Sequence, residues 1–239
     1  MKCYYDFHIH TCLSPCGGED NTPNNVVNFA KMLGYDAIAV CDHNIAGNVS
    51  ACQKVGEKVG LIVIAGMEVT TSEDIHVVCL FKTANQAKQL EKIVHDRMLI
   101  MPNDKKIFGE QIFRNENDEV TGEYPNMLLY GVDIGVYEIV KIVEDIGGIC
   151  FPAHIFKEGS GILPILGTLD DLIGFKIIEK GRNIPNEKLS EGNLSKYYPL
   201  DNSDAHYLED MREAENFLEC EKNIESIFEF LKKIQIIKN

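Results

Sequence analysis

The sequence has no apolar stretch long enough to cross a membrane. Its strongest apolar run extends only from Leu61 to Met67, whereas a membrane-spanning helix needs about 20 apolar residues. Asp6 and His8 interrupt the apolar residues near the start, so no signal-peptide core is expected there. We therefore expect a cytoplasmic protein that does not associate with membranes.

The eight cysteines lack the paired C-x-x-C spacing of a zinc or redox motif. They are scattered through apolar segments, which is typical of reduced thiols rather than of a disulfide framework. This pattern agrees with a cytoplasmic location.

Positive charge is in short supply. The chain has 23 Lys and Arg residues against 37 Asp and Glu residues, for a formal net charge of −14. Such a charge opposes binding to a phosphate backbone over a broad surface. We therefore expect a small phosphorylated substrate and no long duplex nucleic acid, although a short oligonucleotide remains compatible because bound cations would offset the charge locally.

No repeat, low-complexity segment or linker divides the 239 residues, a length that suits one undivided α/β barrel domain over residues 1–239. Strand-like and helix-like segments alternate, which favours a parallel sheet with its functional groups at the carboxyl ends of the strands. Residues 102–130 break this rhythm and resemble a polar-tipped hairpin or excursion. After the first strand, further strands are predicted at 35–41, 61–65, 75–81, 149–151, 175–178 and 197–200.

Two histidines lie two residues apart in the first predicted strand. Tyr4, Tyr5, Phe7 and Ile9 favour an extended conformation there, so His8 and His10 point to the same face. Two imidazoles on one face are able to take two positions around a transition metal. The pair alone is also compatible with a hydrogen-bonded surface pair.

Other polar residues follow the ends of later predicted strands. With His8 and His10 of the first strand and His76 at the start of or within the fourth, six of the chain's seven histidines lie on or directly after predicted strands, and His95, in an amphipathic helix, is expected to be on the surface. Each position alone also fits a helix cap, a core histidine or a turn. A barrel would bring them to one face as a polynuclear metal site, formed by His8, His10, His43, Glu68, His76, His154, Asp204 and His206.

The order of these blocks resembles the polymerase-and-histidinol-phosphatase (PHP) family. The matching segments are His8-Ile9-His10-Thr11, Cys41-Asp42-His43-Asn44, Gly66-Met67-Glu68-Val69 with His76, Pro152-Ala153-His154, and Ser203-Asp204-Ala205-His206. The resemblance covers essentially the whole chain. It implies a distorted seven-stranded, TIM-like β/α barrel that holds a cluster of usually three metals and hydrolyses phosphoesters.

The resemblance also implies how the ligands are shared among two to three divalent metal ions. The first metal would take His8, His10, Glu68 and Asp204, and the second would share Glu68 and add His76 and His154. The third would take His43 and His206 with one ligand from the loop after His10. Many family members have Asp or His there, whereas this chain has Pro15, Cys16 and Gly17. Cys16 is the natural candidate because thiolates bind zinc, although it also fits a buried loop thiol, and Asp20 is the alternative.

In the expected mechanism, Glu68 bridges two cations that lower the pKa of a water to about 7. The resulting hydroxide attacks phosphorus in line, and His206 or the third metal helps the leaving group depart. Glu68, Asp204 and His206 are thus the expected catalytic residues, and Asp42 is expected to orient a ligating histidine. Imidazole and carboxylate ligands suit zinc, manganese or iron alike.

Three basic residues, Lys157, Lys180 and Arg182, follow late strands and could bind phosphate, although solvated surface positions are common for such residues. The predicted function is a metal-dependent phosphoesterase acting on a nucleotide, a short oligonucleotide or a small metabolite. A histidinol-phosphate phosphatase, a protein-tyrosine phosphatase and a non-catalytic metal-binding module are the alternatives. The complete ligand set argues against the last of these.

Overall fold

The computed structural model describes residues 1–190 and 192–237. Its strands are β1 (Lys2–Ile9), β2 (Ala37–Val40), β3 (Ile62–Thr70), β4 (His76–Phe81), β5 (Ile112–Arg114), β6 (Val120–Glu123), β7 (Ile149–Pro152), β8 (Ile177–Glu179), β9 (Tyr198–Leu200) and β10 (Phe217–Glu219). Its α-helices are α1 (Pro23–Met32), α2 (Val49–Val59), α3 (Ala84–Asp96), α4 (Lys105–Phe108), α5 (Val136–Ile146), α6 (Ile162–Leu166) and α7 (Ile224–Ile237). None of these helices is long and apolar enough to cross a bilayer.

Six strands form one curled, mixed sheet in the order β10-β1-β2-β3-β4-β7. Strands β1, β2 and β3 are parallel, whereas β4 is antiparallel to both β3 and β7. The expected purely parallel arrangement is therefore wrong at β4. A tight turn joins β3 to β4, and the amide of Thr71 donates to the carbonyl of Ile75 at 2.9 Å across it. This connection is too short for the crossover of a dozen or more residues that parallel neighbours need.

Strands β8 and β9 form a separate parallel pair beside β7. The amide of Ile155, just after β7, donates to the carbonyl of Glu179 at 3.0 Å. After β9 the chain returns to β1, where Ile9 and Ala205 form an isolated parallel bridge. The described residues thus have the mixed α/β fold that was predicted, but the continuous sheet has six strands rather than the seven of a closed barrel, because β8 and β9 are short and pair with each other.

An apolar layer fills the concave side of the sheet. It contains Phe7, Ile64 and Phe151, which are fully buried, and α7 contributes Phe228. A second apolar cluster packs between the other side of the sheet and helices α1, α2, α3 and α5. Because residues two apart in a strand share a face, Ile64 and Glu68 of β3 point to the same concave side. Glu68 therefore lies above an apolar floor.

The segment 102–130 contains α4 and the hairpin β5–β6. The tip of this hairpin lies against the start of α1, because the Asp118 carboxylate accepts the Thr22 hydroxyl at 2.7 Å and the Asn24 amide at 3.0 Å. At the base, the amide of Ile112 donates to the carbonyl of Cys12 at 3.1 Å. The hairpin is thus anchored to the loop that follows His10. Strand β10 was not predicted, since three residues at a sheet edge leave little pattern.

Gly66 allows β2 and β3 to approach each other closely below the polar cluster. A Cβ at this position would lie 2.5 Å from Cys41 Sγ and 2.8 Å from the carbonyl oxygen of Val40.

We expect Gly66→Ala to reduce the free energy of unfolding by about 1–3 kcal/mol through overpacking, as measured by urea denaturation. The control is Gly122→Ala, where the nearest atom, on Phe113, is 3.6 Å away; its effect should stay within about 0.5 kcal/mol. Equal stability of the two variants would contradict the expectation.

Candidate metal centre

Glu68 lies near the end of β3 at the centre of a ring of imidazoles. Its side chain is fully buried. The oxygen Oε1 lies 2.9 Å from His76 Nδ1 and 3.2 Å from His154 Nε2. The other oxygen, Oε2, lies near three more imidazole nitrogens, at 3.0 Å from His43 Nδ1, 3.3 Å from His8 Nε2 and 3.4 Å from His10 Nε2. Five histidines from four segments of the chain thus converge on one carboxylate.

Asp204 faces the same two histidines of β1 as Glu68 does. Its Oδ1 lies 3.5 Å from His8 Nε2 and 3.4 Å from His10 Nε2. The four ligand atoms of His8, His10, Glu68 and Asp204 all lie within 4.8 Å of one another. The structure therefore brings together the set that the family resemblance implies for the first metal.

Two further groups have the same spacing. One comprises His43, Glu68 and His76, and the other comprises His10, His43 and His206. His154 joins the first of these through its contact with Glu68. His206 Nδ1 lies 2.9 Å from the carbonyl oxygen of Asp204, and a donation there leaves Nε2 as the free ligand atom. The residues implied for the second metal, Glu68, His76 and His154, thus lie close together. Of those implied for the third metal, His43 and His206 lie together, and His10 stands beside them in place of a ligand from the loop.

Several atoms at the centre of the cluster are buried without a hydrogen-bond partner. They are His8 Nε2, His10 Nε2, His43 Nδ1, Glu68 Oε2 and Asp204 Oδ1. Leaving buried polar atoms unpaired is costly, and most such atoms in folded proteins have partners. Nitrogen and oxygen donors in this mixture suit divalent zinc, manganese or iron. The residues present therefore fit bound metal ions.

Two imidazoles and the central carboxylate of the cluster are in the protonation states that ligation needs. Burial, and then the neighbouring His206, lower the pKa of His10 to about 3, and burial lowers the pKa of His43 well below its usual value. Both imidazoles are thus neutral and have a lone pair. Burial works to raise the pKa of Glu68, but its histidine neighbours outweigh burial and hold that pKa well below the usual range. Glu68 is therefore ionised. The pKa of His8 differs, because Glu179, Glu68 and Asp204 outweigh burial and raise it well above its usual value.

Asp42 was expected to orient a ligating histidine by accepting a hydrogen bond from it. In the structure Asp42 instead reaches the cluster through Ser14. The Asp42 carboxylate accepts the amide and the hydroxyl of Thr11, both at 2.7 Å, and the Ser14 hydroxyl at 2.7 Å. Ser14 Oγ in turn lies 3.0 Å from His10 Nδ1 and accepts the amide of His43 at 3.2 Å. The chain of contacts from Asp42 through Ser14 orients His10.

The loop after His10 does not bring Asp20 to the cluster. Asp20 is exposed, and the neighbouring Asn21 points inward, where its side chain donates to the carbonyls of His10 and His206 at 3.0 and 2.9 Å. Cys16 is not in any ligand group of the described residues. Burial, and then Glu68, raise the pKa of its thiol to about 12, so Cys16 is protonated beside the site. Glycines 17 and 18 turn the loop without folding Asp20 back.

Glu179 is a site residue that the sequence did not reveal. It ends β8, is fully buried, and lies 3.0 Å from His8 Nδ1. An acidic residue directly after the apolar run of a predicted strand is the signal that could have found it. His95, expected on the surface, is instead partly buried, and its Nε2 lies 2.9 Å from the carbonyl oxygen of Asn44.

The three basic residues line a cavity of about 390 Å³ beside the cluster, together with His154, Phe156, Asp204 and His206. Lys157 Nζ lies 3.0 Å from Asp204 Oδ2. Lys180 is bound to Asp201 at 2.7 Å, and Arg182 is bound to Asp210 at 2.6 Å. Among these three, Lys157 is the one in contact with the candidate metal ligands.

Comparison with known proteins agrees with this geometry. The PHP domain family model matches residues 6–141. A DNA polymerase III PolC-type from Staphylococcus epidermidis is 32% identical over 180 residues, which cover 66% of this chain and 12% of the relative. The chain thus spans about 12% of the length of the curated relatives that it matches.

Two solved structures share the fold at low sequence identity. An Endonuclease Q complex with a 27-mer duplex substrate that has an abasic lesion at the active site has a TM-score of 0.72 and 18% identity, with 98% of this chain and 57% of that chain covered. A putative metal-dependent phosphoesterase from Bifidobacterium adolescentis has a TM-score of 0.64 and 16% identity, with 96% of each chain covered.

Fold and site define the class of protein, a mixed α/β domain with a ligand cluster that fits divalent metal ions. The chain belongs to the PHP domain family, as the sequence predicted.

The net charge of the chain had led us to expect that long duplex nucleic acid is not a substrate, and this expectation is wrong. A protein with this fold binds a 27-mer duplex at its active site. Net charge summed over the whole chain does not describe the local field at a site, which depends on the few charges that line it. Here Lys157, Lys180 and Arg182 line the cavity, each paired with an aspartate, so the net charge of −14 does not describe the charge at the cavity.

The role of Ser14 is open to direct measurement. In Ser14→Ala, His10 Nδ1 loses its partner and one contact of Asp42 is lost, so the affinity for zinc or manganese should fall roughly 10- to 100-fold. Competition with a chromophoric chelator measures this. Ser72→Ala is the control because Ser72 is exposed and its hydroxyl donates to Glu73, away from the cluster. Unchanged metal affinity in Ser14→Ala would show that the contact does not orient His10.

Proposed function

We propose that this chain is a metal-dependent phosphoesterase that cleaves phosphodiester bonds in nucleic acid, including duplex nucleic acid. The observation that carries the proposal is the buried Glu68 carboxylate in contact with five histidines, next to unpartnered ligand atoms. The Endonuclease Q complex, which has the same fold and a duplex at its active site, supports the choice of substrate.

Two or three divalent cations bound at this cluster would acidify a water towards neutral pH and offset the negative charge of a phosphoryl group. Glu68, at the centre, contributes a carboxylate oxygen to two of the three ligand groups. Asp204 contributes an oxygen at the open side, where the cavity begins. In this proposal both residues are essential because they supply the negative charge that holds the cations.

Lys157 is proposed to bind a non-bridging oxygen of the scissile phosphate. Its side chain is 48% exposed, lines the cavity and contacts Asp204. Burial works to lower the pKa of Lys157, but Asp204 outweighs burial and raises it, so the ammonium group stays charged. Lys180 and Arg182 are held by Asp201 and Asp210, and we propose that they shape the cavity wall.

His206 is proposed to face the leaving group. It lines the cavity and also stacks on His10, with ring centroids 4.1 Å apart. Its contact with the carbonyl oxygen of Asp204 holds the ring orientation. His206 thus belongs to a ligand group and also borders the space available to a substrate.

The proposal predicts that activity depends on metal and on Glu68. We expect cleavage of labelled single-stranded and duplex oligonucleotides, with and without an abasic site, to be abolished by a chelator and restored by Mn²⁺ or Zn²⁺. Glu68→Gln should reduce turnover by more than the roughly 10- to 100-fold typical of losing a residue behind the ligands, with loss of bound metal measured by elemental analysis.

The control for Glu68→Gln is Glu73→Gln, because Glu73 receives the amide of Val136 at the start of α5 and does not belong to the cluster. Turnover that survives the chelator would contradict the proposed chemistry. A chain that binds metal but cleaves none of the oligonucleotides would overturn the proposed nucleic-acid substrate.

Lys157→Gln should raise KM for an oligonucleotide roughly 10- to 150-fold, since a hydrogen bond to a charged group contributes about 1.5–3 kcal/mol. Metal content should remain at the wild-type level, which separates this effect from damage to the ligands. Steady-state kinetics measures the change, and Lys92→Gln, on the exposed side of α3, is the control. An unchanged KM would exclude Lys157 as the phosphate-binding residue.

A further inference from the structure

We propose that Glu179 is the positioning residue that holds three ligand-bearing segments of the candidate metal centre in register. The inference rests on the proposed function in one respect, that the cluster binds metal. Glu179 is not in any of the ligand groups. Its carboxylate instead contacts the side of the cluster that faces away from the proposed metal positions.

Glu179 makes its contacts with both carboxylate oxygens. Oε2 lies 3.0 Å from His8 Nδ1 and accepts the Asn202 side-chain amide at 2.8 Å. Oε1 lies 3.2 Å from His8 Nδ1 and accepts the backbone amide of His154 at 2.9 Å. All of these groups are buried. One carboxylate thus connects β1, the residues after β7 and the residues after β9.

The contact with His8 determines which ring nitrogen faces the cluster. With Nδ1 directed to Glu179, Nε2 is directed to Glu68 at 3.3 Å and to Asp204 at 3.5 Å. A carboxylate behind a ligating histidine fixes both the ring orientation and the nitrogen that is available to the metal. Glu179 therefore prepares His8 for ligation.

The other two contacts hold backbone that would otherwise be unfavourable. His154 has φ 26° and Asp204 has φ 49°, and non-glycine residues persist at positive φ only where the surroundings hold them. Glu179 accepts the amide of His154 itself. It also holds Asn202, two residues before Asp204, and the Asn202 oxygen accepts the amide of Phe7 in β1 at 2.9 Å.

The residues that follow Glu179 at the end of β8 form a wall of the 390 Å³ cavity beside the cluster. Glu179 is followed by Lys180, Gly181 and Arg182, which all line it. Gly181 has φ 86°, and a Cβ there would lie 3.2 Å from the Cα of His154. The backbone that carries Glu179 thus packs directly on a candidate ligand, so a shift of Glu179 would displace ligands and cavity wall together.

Only a carboxylate satisfies all of these donors. The amide of His154 contacts one oxygen and the Asn202 side-chain amide contacts the other. In Glu179→Gln, one oxygen becomes an NH₂ group, which places a donor against one of these two donors. Turning the Asn202 amide over would not help, because its oxygen already accepts the amide of Phe7. The substitution preserves size and removes the positioning function.

The experiment compares wild type, Glu179→Gln and Glu73→Gln as full-length chains that are stripped of metal and titrated with Zn²⁺ and Co²⁺. We expect Glu179→Gln to lower the affinity of the His8 site roughly 10- to 100-fold and to change the Co²⁺ absorption spectrum. Glu73→Gln removes a partner of the Val136 amide away from the cluster and should keep the wild-type affinity and spectrum.

The outcomes separate the two proposals. A wild-type chain that binds no metal overturns the proposed function and this inference with it. A wild-type chain that binds metal, beside a Glu179→Gln chain with equal affinity and spectrum, overturns this inference alone. If Glu179→Gln does not fold, Glu179→Asp is measured in its place. Its carboxylate is withdrawn by about 1.5 Å and cannot reach all three segments, so we expect a lower metal affinity. Wild-type affinity in Glu179→Asp would overturn the inference.

Discussion

The candidate metal centre is built around one buried carboxylate, Glu68, that five imidazoles surround. Taking an ionised group out of water is costly unless opposite charge and hydrogen bonds compensate for it. Glu68 has part of this compensation in the histidines of β1, of β4 and of the segments after β2 and β7. The buried atoms at the centre that lack a hydrogen-bond partner leave the compensation incomplete without cations.

Behind the candidate ligands lies a second set of residues that limits their freedom. Ser14 and Asp42 support His10, and Glu179 supports His8 and His154. These contacts are buried and made between charged or strongly polar groups, which is where hydrogen bonds hold geometry most firmly. The apolar layer of Phe7, Ile64 and Phe151 below the cluster provides a rigid base, because close-packed interiors transmit displacement rather than absorb it.

The eight candidate ligands were predictable because buried strands are apolar runs, and a polar residue directly after such a run has few places to point. Other features were not predictable. The inward position of Asn21 in place of Asp20 depends on the turn at Gly17 and Gly18, and the reversal of β4 depends on a short turn. Charge summed over the sequence misled about duplex substrates because the field at the cavity comes from a few nearby residues.

Local periodicity was enough to predict the chemical types of the candidate ligands, their order along the chain and their position at strand ends. It could not predict which ligands share a group, that His10 lies with His43 and His206, or that Glu179 contacts His8 from 171 positions away in the chain. The physical reason is that a contact between distant segments depends on how the whole sheet curls, and no local pattern of residues records that distance.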